Sequence, residues 1–156
     1  TCHRAENTDD VKRLSGILSG IQSISENVKV VFSIHPRTKK SIEEHNLGEY
    51  LRNLLVVGPI PFHNMASLER NAKFILTDSG GIQKEAFFYR VPCITMRDET
   101  EWVETVELGW NQLVGAKANA IRAAADSIFS QKLNVVDHLP YGEGNAAEKI
   151  VNQLVL

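Results

Sequence analysis

Along this chain, short apolar runs alternate with stretches in which apolar residues recur every three or four positions. The clearest run is Val28-Lys29-Val30-Val31-Phe32-Ser33-Ile34, rich in β-branched residues and preceded by the turn-like pair Glu26-Asn27. Residues 54–57, 74–77, 92–96 and 112–114 follow as further short strands. Each is brief and nearly all apolar, which suits a parallel sheet covered on both faces. Between the strands the period changes. Val11, Leu14, Leu18 and Ile21 fall on one helical stripe behind the capping candidates Thr8 and Asp9, predicting a helix of about four turns. Ala118, Ile121, Ala125 and Ile128 form a second stripe, and Ala147, Ile150, Val151 and Leu154 a closing one. Shorter helices are predicted over 38–45, 64–71, 81–89 and 99–108, and residues 134–145, with Pro140, Gly142 and Gly144, read as the one extended loop.

Strands alternating with helices imply βαβ crossovers and hence a doubly wound α/β domain with a parallel sheet. Thr1 and Cys2 then read as the stump of a central first strand, and His3 as the start of the loop after it. Ligands bind where such strands end, so the loops of interest follow Cys2, Ile34, Val57, Thr77, Met96 and Val114.

A length of 156 residues, 43% of them hydrophobic, matches one domain covering 1–156. The net charge of -2 argues against a nucleic-acid partner that works by phosphate neutralisation. The longest apolar runs have four residues, against roughly 20 for a membrane helix, so no membrane association is expected. Two cysteines, Cys2 and Cys93, are too few for a disulfide scaffold and predict reduced thiols in a cytoplasmic protein. The opening Thr1-Cys2-His3-Arg4 carries neither an initiator Met nor a signal-peptide core, so the chain looks cut from something longer.

The most informative loop is Thr77-Asp78-Ser79-Gly80-Gly81, between a predicted strand and a predicted helix. Two glycines let a ligand approach the backbone, and the unpaired N–H groups at the helix start, with the Ser79 hydroxyl, suit a phosphate. The plainer alternative is a strand-to-helix turn capped by Asp78 or Ser79. Glu85 lies four residues after Gly81, about one turn or roughly 5.4 Å along the same helix face, where it can accept hydrogen bonds from ribose hydroxyls. Its alternative is a solvent-facing acid paired with Lys84 or Arg90. His3, Arg4 and Asn7 follow the first strand, where a general acid or diphosphate contact is placed in this architecture, the alternative being a structural histidine at a strand end, and His35-Pro36-Arg37 forms a second polar cluster at a strand end. Glu101, Glu104 and Glu107 recur at a spacing of three after Arg97 and are candidates to line one helix face. No His, Cys, Asp or Glu spacing resembles a metal-ligand set, so neither a metal nor another cofactor is expected.

Taken in order, His3-Arg4-Ala5-Glu6-Asn7, Ile34-His35-Pro36, Thr77 through Glu85, and Arg97-Asp98-Glu99-Thr100-Glu101 resemble the non-hydrolysing UDP-N-acetylglucosamine 2-epimerase family. Gly109, Leu113-Val114-Gly115 and Tyr141-Gly142-Glu143-Gly144 fit the same pattern. The resemblance implies the C-terminal lobe of a GT-B type enzyme with two Rossmann-like lobes, the N-terminal lobe being absent from this chain. It implies that Ser79, Gly80 and Gly81 hold the UDP diphosphate, that Glu85 meets the ribose, and that His3 is catalytic beside the diphosphate. Met65 on the uridine side and Arg97 join the UDP contacts by the same resemblance. Arg4 and His35 match a second site at which some bacterial members bind UDP-N-acetylglucosamine as activator.

The implied reaction eliminates UDP across C1 and C2 of the sugar and adds it back after protonation of the other face. The carboxylates that move the C2 proton belong to the other lobe, so the isolated fragment is expected to be inactive. A homodimer in the full-length protein and a place in cytoplasmic polysaccharide biosynthesis are further implications. Two departures bear on specificity. Trp102-Val103 stands where many members have Arg-Pro, and Met65 stands where an aromatic residue is common. The first leaves a related UDP-2-acetamido or diacetamido sugar as an alternative substrate. A GT-B glycosyltransferase donor lobe and a nucleotide-binding module without chemistry are the competing functions.

Overall fold

The computed structural model describes residues 1–130 and 138–154. Helices Ala5–Thr8 (α1) and Val11–Ser25 (α2) precede strand Val31–Ser33 (β1) and helix Pro36–Glu44 (α3). After a 3-10 turn at Gly48–Leu51 come Leu55–Val57 (β2), Phe62–Arg70 (α4), Ile75–Thr77 (β3), Gly80–Phe88 (α5) and Cys93–Thr95 (β4). Val103–Glu107 (α6), Asn111–Leu113 (β5), Ala118–Phe129 (α7) and Ala146–Leu154 (α8) complete the order. The alternation is the one the apolar pattern predicts, with shorter strands. Every described strand pair is parallel: β1 with β2 in one sheet, and β3-β4-β5 in the other. Thr1 and Cys2 form no ladder of their own. They lie alongside β3, where the Thr1 nitrogen donates to the Leu76 carbonyl at 2.8 Å and Thr1 Oγ1 meets Thr77 Oγ1 at 2.8 Å.

The core is built on α2 and α7. Leu14, Ile17, Leu18, Ile21 and Ile24 pack with Ile121, Ala124, Ala125 and Ile128 and with Phe32, Ile94 and Met96 beneath them. Gly20 lets the two helices approach: a Cβ there would lie 2.9 Å from Ile121 Cβ, closer than real side chains sit. The buried stripe differs from the predicted one at its start, because Val11 is exposed while Ile17 and Ile24 are enclosed. The cap also shifts. Asp10, rather than Thr8 or Asp9, accepts from the Lys12 and Arg13 amides, while Thr8 is buried and Asp9 pairs with Arg37.

Three further expectations change. Leu55 and Val56 are exposed, so β2 is an edge strand and not one covered on both faces. The helix expected over 99–108 contracts to α6, because 97–102 is shaped by side-chain contacts instead. On α8 the predicted stripe faces outward, with Ile150, Val151 and Leu154 all exposed. The part of the extended loop before His138 lies outside the described residues; Tyr141 from its remainder packs edge-on to Phe87, Phe88 and Trp102. Cys2 and Cys93 are free and buried, and burial pushes the Cys93 thiol up to about 12. No helix among the described residues is long and apolar enough to cross a membrane.

Candidate functional site

The loop between β3 and α5 is held in place by Asp78, which is fully buried. Its carboxylate accepts from the backbone N–H of His3 at 3.0 and 3.1 Å, from that of Arg4 at 2.9 Å and from Asn7 Nδ2 at 3.1 Å. A carboxylate taking several N–H bonds in a dry setting is a strong fastener. It clasps the start of the chain to the strand end, so His3 and Ser79 flank one residue-wide junction. Asp78 is therefore not the helix cap. Ser79 takes that place, with its hydroxyl 3.5 Å from the Ile82 amide. The Ser79–Gly80–Gly81 backbone thus opens α5 at the mouth of the junction, where helix N–H groups and the dipole favour an anion.

The two glycines differ. A Cβ on Gly80 would meet Glu101 Oε1 at 2.5 Å, and the Gly80 carbonyl accepts from Trp102 Nε1 at 2.8 Å. Gly81 is exposed, and a Cβ there would approach only Ser79 Oγ at 3.8 Å. Gly80 is small because the 97–102 loop packs on it, whereas Gly81 leaves backbone open to solvent.

The His3 side chain is 38% exposed, and its Nδ1 lies 3.5 Å from Oδ1 of Asp78, the residue before the α5 cap. Partial burial pushes its pKa below the usual 6.5, with Asp78 pulling the other way and His35 adding to the fall. The His35 ring lies 5.8 Å away, and its Nδ1 caps α3 by accepting from the Arg37 amide at 3.2 Å. Arg97 is buried and donates to Glu101 at 2.6 Å; its Nε is 3.7 Å from Glu6 and has no hydrogen-bond partner. Arg4 reaches the other oxygen of Glu101 at 3.6 Å. The Glu101 backbone N–H, and then Arg97, hold that carboxyl below its ordinary range.

Glu101 lies ahead of α6 and Glu104 accepts from the Tyr141 hydroxyl at 3.1 Å, so the three glutamates do not line one helix face. Asn7 is a pin: besides Asp78 it donates to the Met96 carbonyl at 3.0 Å and accepts from Arg13 at 3.1 Å.

Glu85 lies one turn into α5 and is half-buried. Lys84, its expected ion-pair partner in the plainer reading, instead sits over the rings of Trp102 at 4.3 Å and Tyr141 at 4.5 Å. Beside Glu85 is a residue the sequence did not single out, Glu69 of α4, buried to 4% exposure. Met65 is one turn earlier on the same helix, and both line, with Ile82, a cavity of about 550 Å³. Also unforeseen is the buried network under the loop, where Gln83 Oε1 accepts from Thr100 at 2.6 Å and from Asn111 at 3.0 Å. One end of the site thus joins His3, Arg4, Ser79, Gly80, Gly81, Arg97 and His35, while Met65 and Glu85 stand further along α4 and α5.

Comparison with known proteins places this arrangement. The profile of the UDP-N-acetylglucosamine 2-epimerase family matches residues 1–155. A UDP-N-acetylglucosamine 2-epimerase of Methanocaldococcus jannaschii is 44% identical over 159 residues, covering 99% of this chain and 43% of that protein. The UDP-2,3-diacetamido-2,3-dideoxy-D-glucuronate 2-epimerase of Pseudomonas aeruginosa is 44% identical over 155 residues, again covering 99% and 43%. The crystal structure of the M. jannaschii enzyme with UDP-GlcNAc and UDP superposes with a TM-score of 0.87 at 43% identity, covering 99% of this chain and 43% of that one. The chain therefore spans less than half the length of the relatives it matches. It belongs to the UDP-N-acetylglucosamine 2-epimerase family.

Proposed function

We propose that this chain is the nucleotide-binding lobe of an epimerase that inverts C2 of a UDP-2-acetamido sugar by eliminating UDP and adding it back. The observation that carries the reading is the Asp78 clasp, which sets His3 against an open helix N-terminus made of Ser79, Gly80 and Gly81. In this reading those three residues receive the diphosphate, Glu85 accepts from the ribose hydroxyls, and Met65 packs on the uracil side. Arg97 braces Glu101 at the edge of the diphosphate site.

When the C1–O bond to UDP breaks, the electron pair and negative charge pass to the departing diphosphate. Donors already aimed at that position lower the barrier. His3 is depressed in pKa without a ligand, and an adjacent diphosphate favours its protonated form. The base that takes the C2 proton, and the acid that returns one to the opposite face, are assigned to a second lobe. Arg4 and His35, side by side with the diphosphate site, are assigned to an activating second sugar nucleotide. A homodimer working in the cytoplasm is part of the same reading.

UDP-N-acetylglucosamine is the leading substrate. The 44% identity to the Pseudomonas UDP-2,3-diacetamido-2,3-dideoxy-D-glucuronate 2-epimerase supports the alternative. Proton NMR of the complete protein with UDP-N-acetylglucosamine in D2O and no acceptor tests the reading. Loss of the C2 proton signal at a catalytic rate is expected; a C2 proton that never exchanges would refute it.

A further inference from the structure

Glu69 is an acid in a place that disfavours its charge. It sits in the last turn of α4, where the helix dipole is negative, with 4% of its surface exposed. Its Oε1 is buried and meets no hydrogen-bond donor. Helix α4 packs on α5, and the α5 group that acts on the Glu69 carboxyl is the Glu85 carboxylate. Arg70 and Lys73, the cations next along the chain, are turned onto the rings of Tyr89 at 5.6 Å and Phe129 at 4.8 Å. The Cys93 thiol of β4 is also near Glu69. Two carboxylates in contact cannot both stay ionised without a large cost, and a shared proton supplies the donor that Oε1 lacks.

We propose that Glu69 in its neutral form donates its hydrogen bond to the Glu85 carboxylate, making it the positioning residue that fixes Glu85 for the ribose of a uridine diphosphate. The proposal rests on the assignment of Glu85 to the ribose. Burial and the neighbouring Glu85 push the Glu69 carboxyl up to about 7, so the shared proton is lost within the physiological range. Below that value Glu85 is a single carboxylate steered by its neighbour. Above it, repulsion drives the two side chains apart and the ribose acceptor leaves its place. A bound nucleotide covers the pair further, favours the neutral acid, and so takes up a proton on binding.

Calorimetric titration of the complete protein with UDP, between about pH 6 and pH 8.5 and in two buffers of different ionisation enthalpy, tests this. Wild type should bind more weakly as the pH rises, by at most about tenfold per unit. Glu69→Gln keeps a donor and cannot ionise. It should match wild type at the acid end and lose that part of the slope and of the proton uptake. Contributions from His3 and from the ligand's own phosphate are common to both proteins and cancel in the difference. Glu69→Leu should be weaker across the range. If Glu69→Gln kept the wild-type slope and uptake while Glu85→Gln lost affinity, the shared proton would be refuted and the ribose assignment would stand. If Glu85→Gln bound UDP as wild type does, the ribose assignment and the positioning role would both fall. Carboxyl NMR showing Glu69 titrating near 7, and lower in Glu85→Gln, would then leave the proton pair as a structural one.

Discussion

At the scale of single residues, the two glycines of the 77–81 loop, to which the proposed function assigns the diphosphate, separate folding from binding. Gly80→Ala drives a Cβ into Glu101 and disturbs its pairing with Arg97. The carboxylate end of the half-exposed Glu101 side chain can swing aside, so the expected cost is that of a weakened ion pair, about 0.2 to 1 kcal/mol, read in a urea melt. Gly81→Ala meets nothing closer than 3.8 Å and should melt no lower than wild type. It should nevertheless weaken UDP binding in calorimetry, because the new methyl stands where the ligand must approach. His3 supplies a second contrast. His3→Asn should lower turnover about a hundredfold, the scale of losing one preorganised transition-state donor, with a smaller change in UDP affinity. A rise in KM with turnover preserved would make it a ground-state contact. The same histidine marks stability. Because folding depresses its pKa below 6.5, the unfolded chain binds a proton that the folded chain resists, so its contribution is present above pH 6.5 and lost as the pH falls through the folded value. Thermal melts of His3→Asn should fall less steeply on acidification than those of wild type.

At the scale of elements, α5 joins the parts of the site. Its first turn presents Gly80 and Gly81, its next turn carries Glu85, and its buried face holds the following loop through Gln83. Gln83→Leu would leave Asn111 and Thr100 short of an acceptor, at a cost of about 1 to 3 kcal/mol. Equilibrium unfolding should record that cost, and UDP affinity should fall with it as the 97–102 loop comes free.

How much of this could be read from the residues follows from range. Ser79-Gly80-Gly81 after an apolar run is a local signal, as are the periods of α2 and α7. Asp78, Gln83 and Glu69 look like ordinary polar residues in their own neighbourhoods. Their burial is created by partners from distant segments, such as His3 for Asp78 and Asn111 for Gln83. The apolar stripe of α8 errs in the other direction: it is legible as amphipathic, yet no local rule says whether this chain itself covers it. The moved α2 cap has a simpler origin: the Thr8 hydroxyl donates to the Arg4 carbonyl and Asp9 pairs with Arg37.

At the scale of the whole molecule, the chain is expected to bind UDP weakly and to leave UDP-sugars unchanged. Half a cleft keeps a ligand wet, and no base for C2 has been assigned to it. Proton NMR of this chain with UDP-N-acetylglucosamine in D2O should show an undiminished C2 signal; catalytic exchange would overturn the division between lobes. The Asp78 clasp also bears on the order of folding. Its partners are 71 to 75 positions away in sequence, among the longest loops the structure closes. Contacts of that separation form slowly, because loop entropy must be lost before they reward it. On a ribosome, His3 and Arg4 emerge before β3 and wait unclasped until it has followed them out. Pulse-labelled hydrogen exchange during refolding should find the His3 and Arg4 amides among the last to gain protection, so that the site closes as a seal on a domain already built.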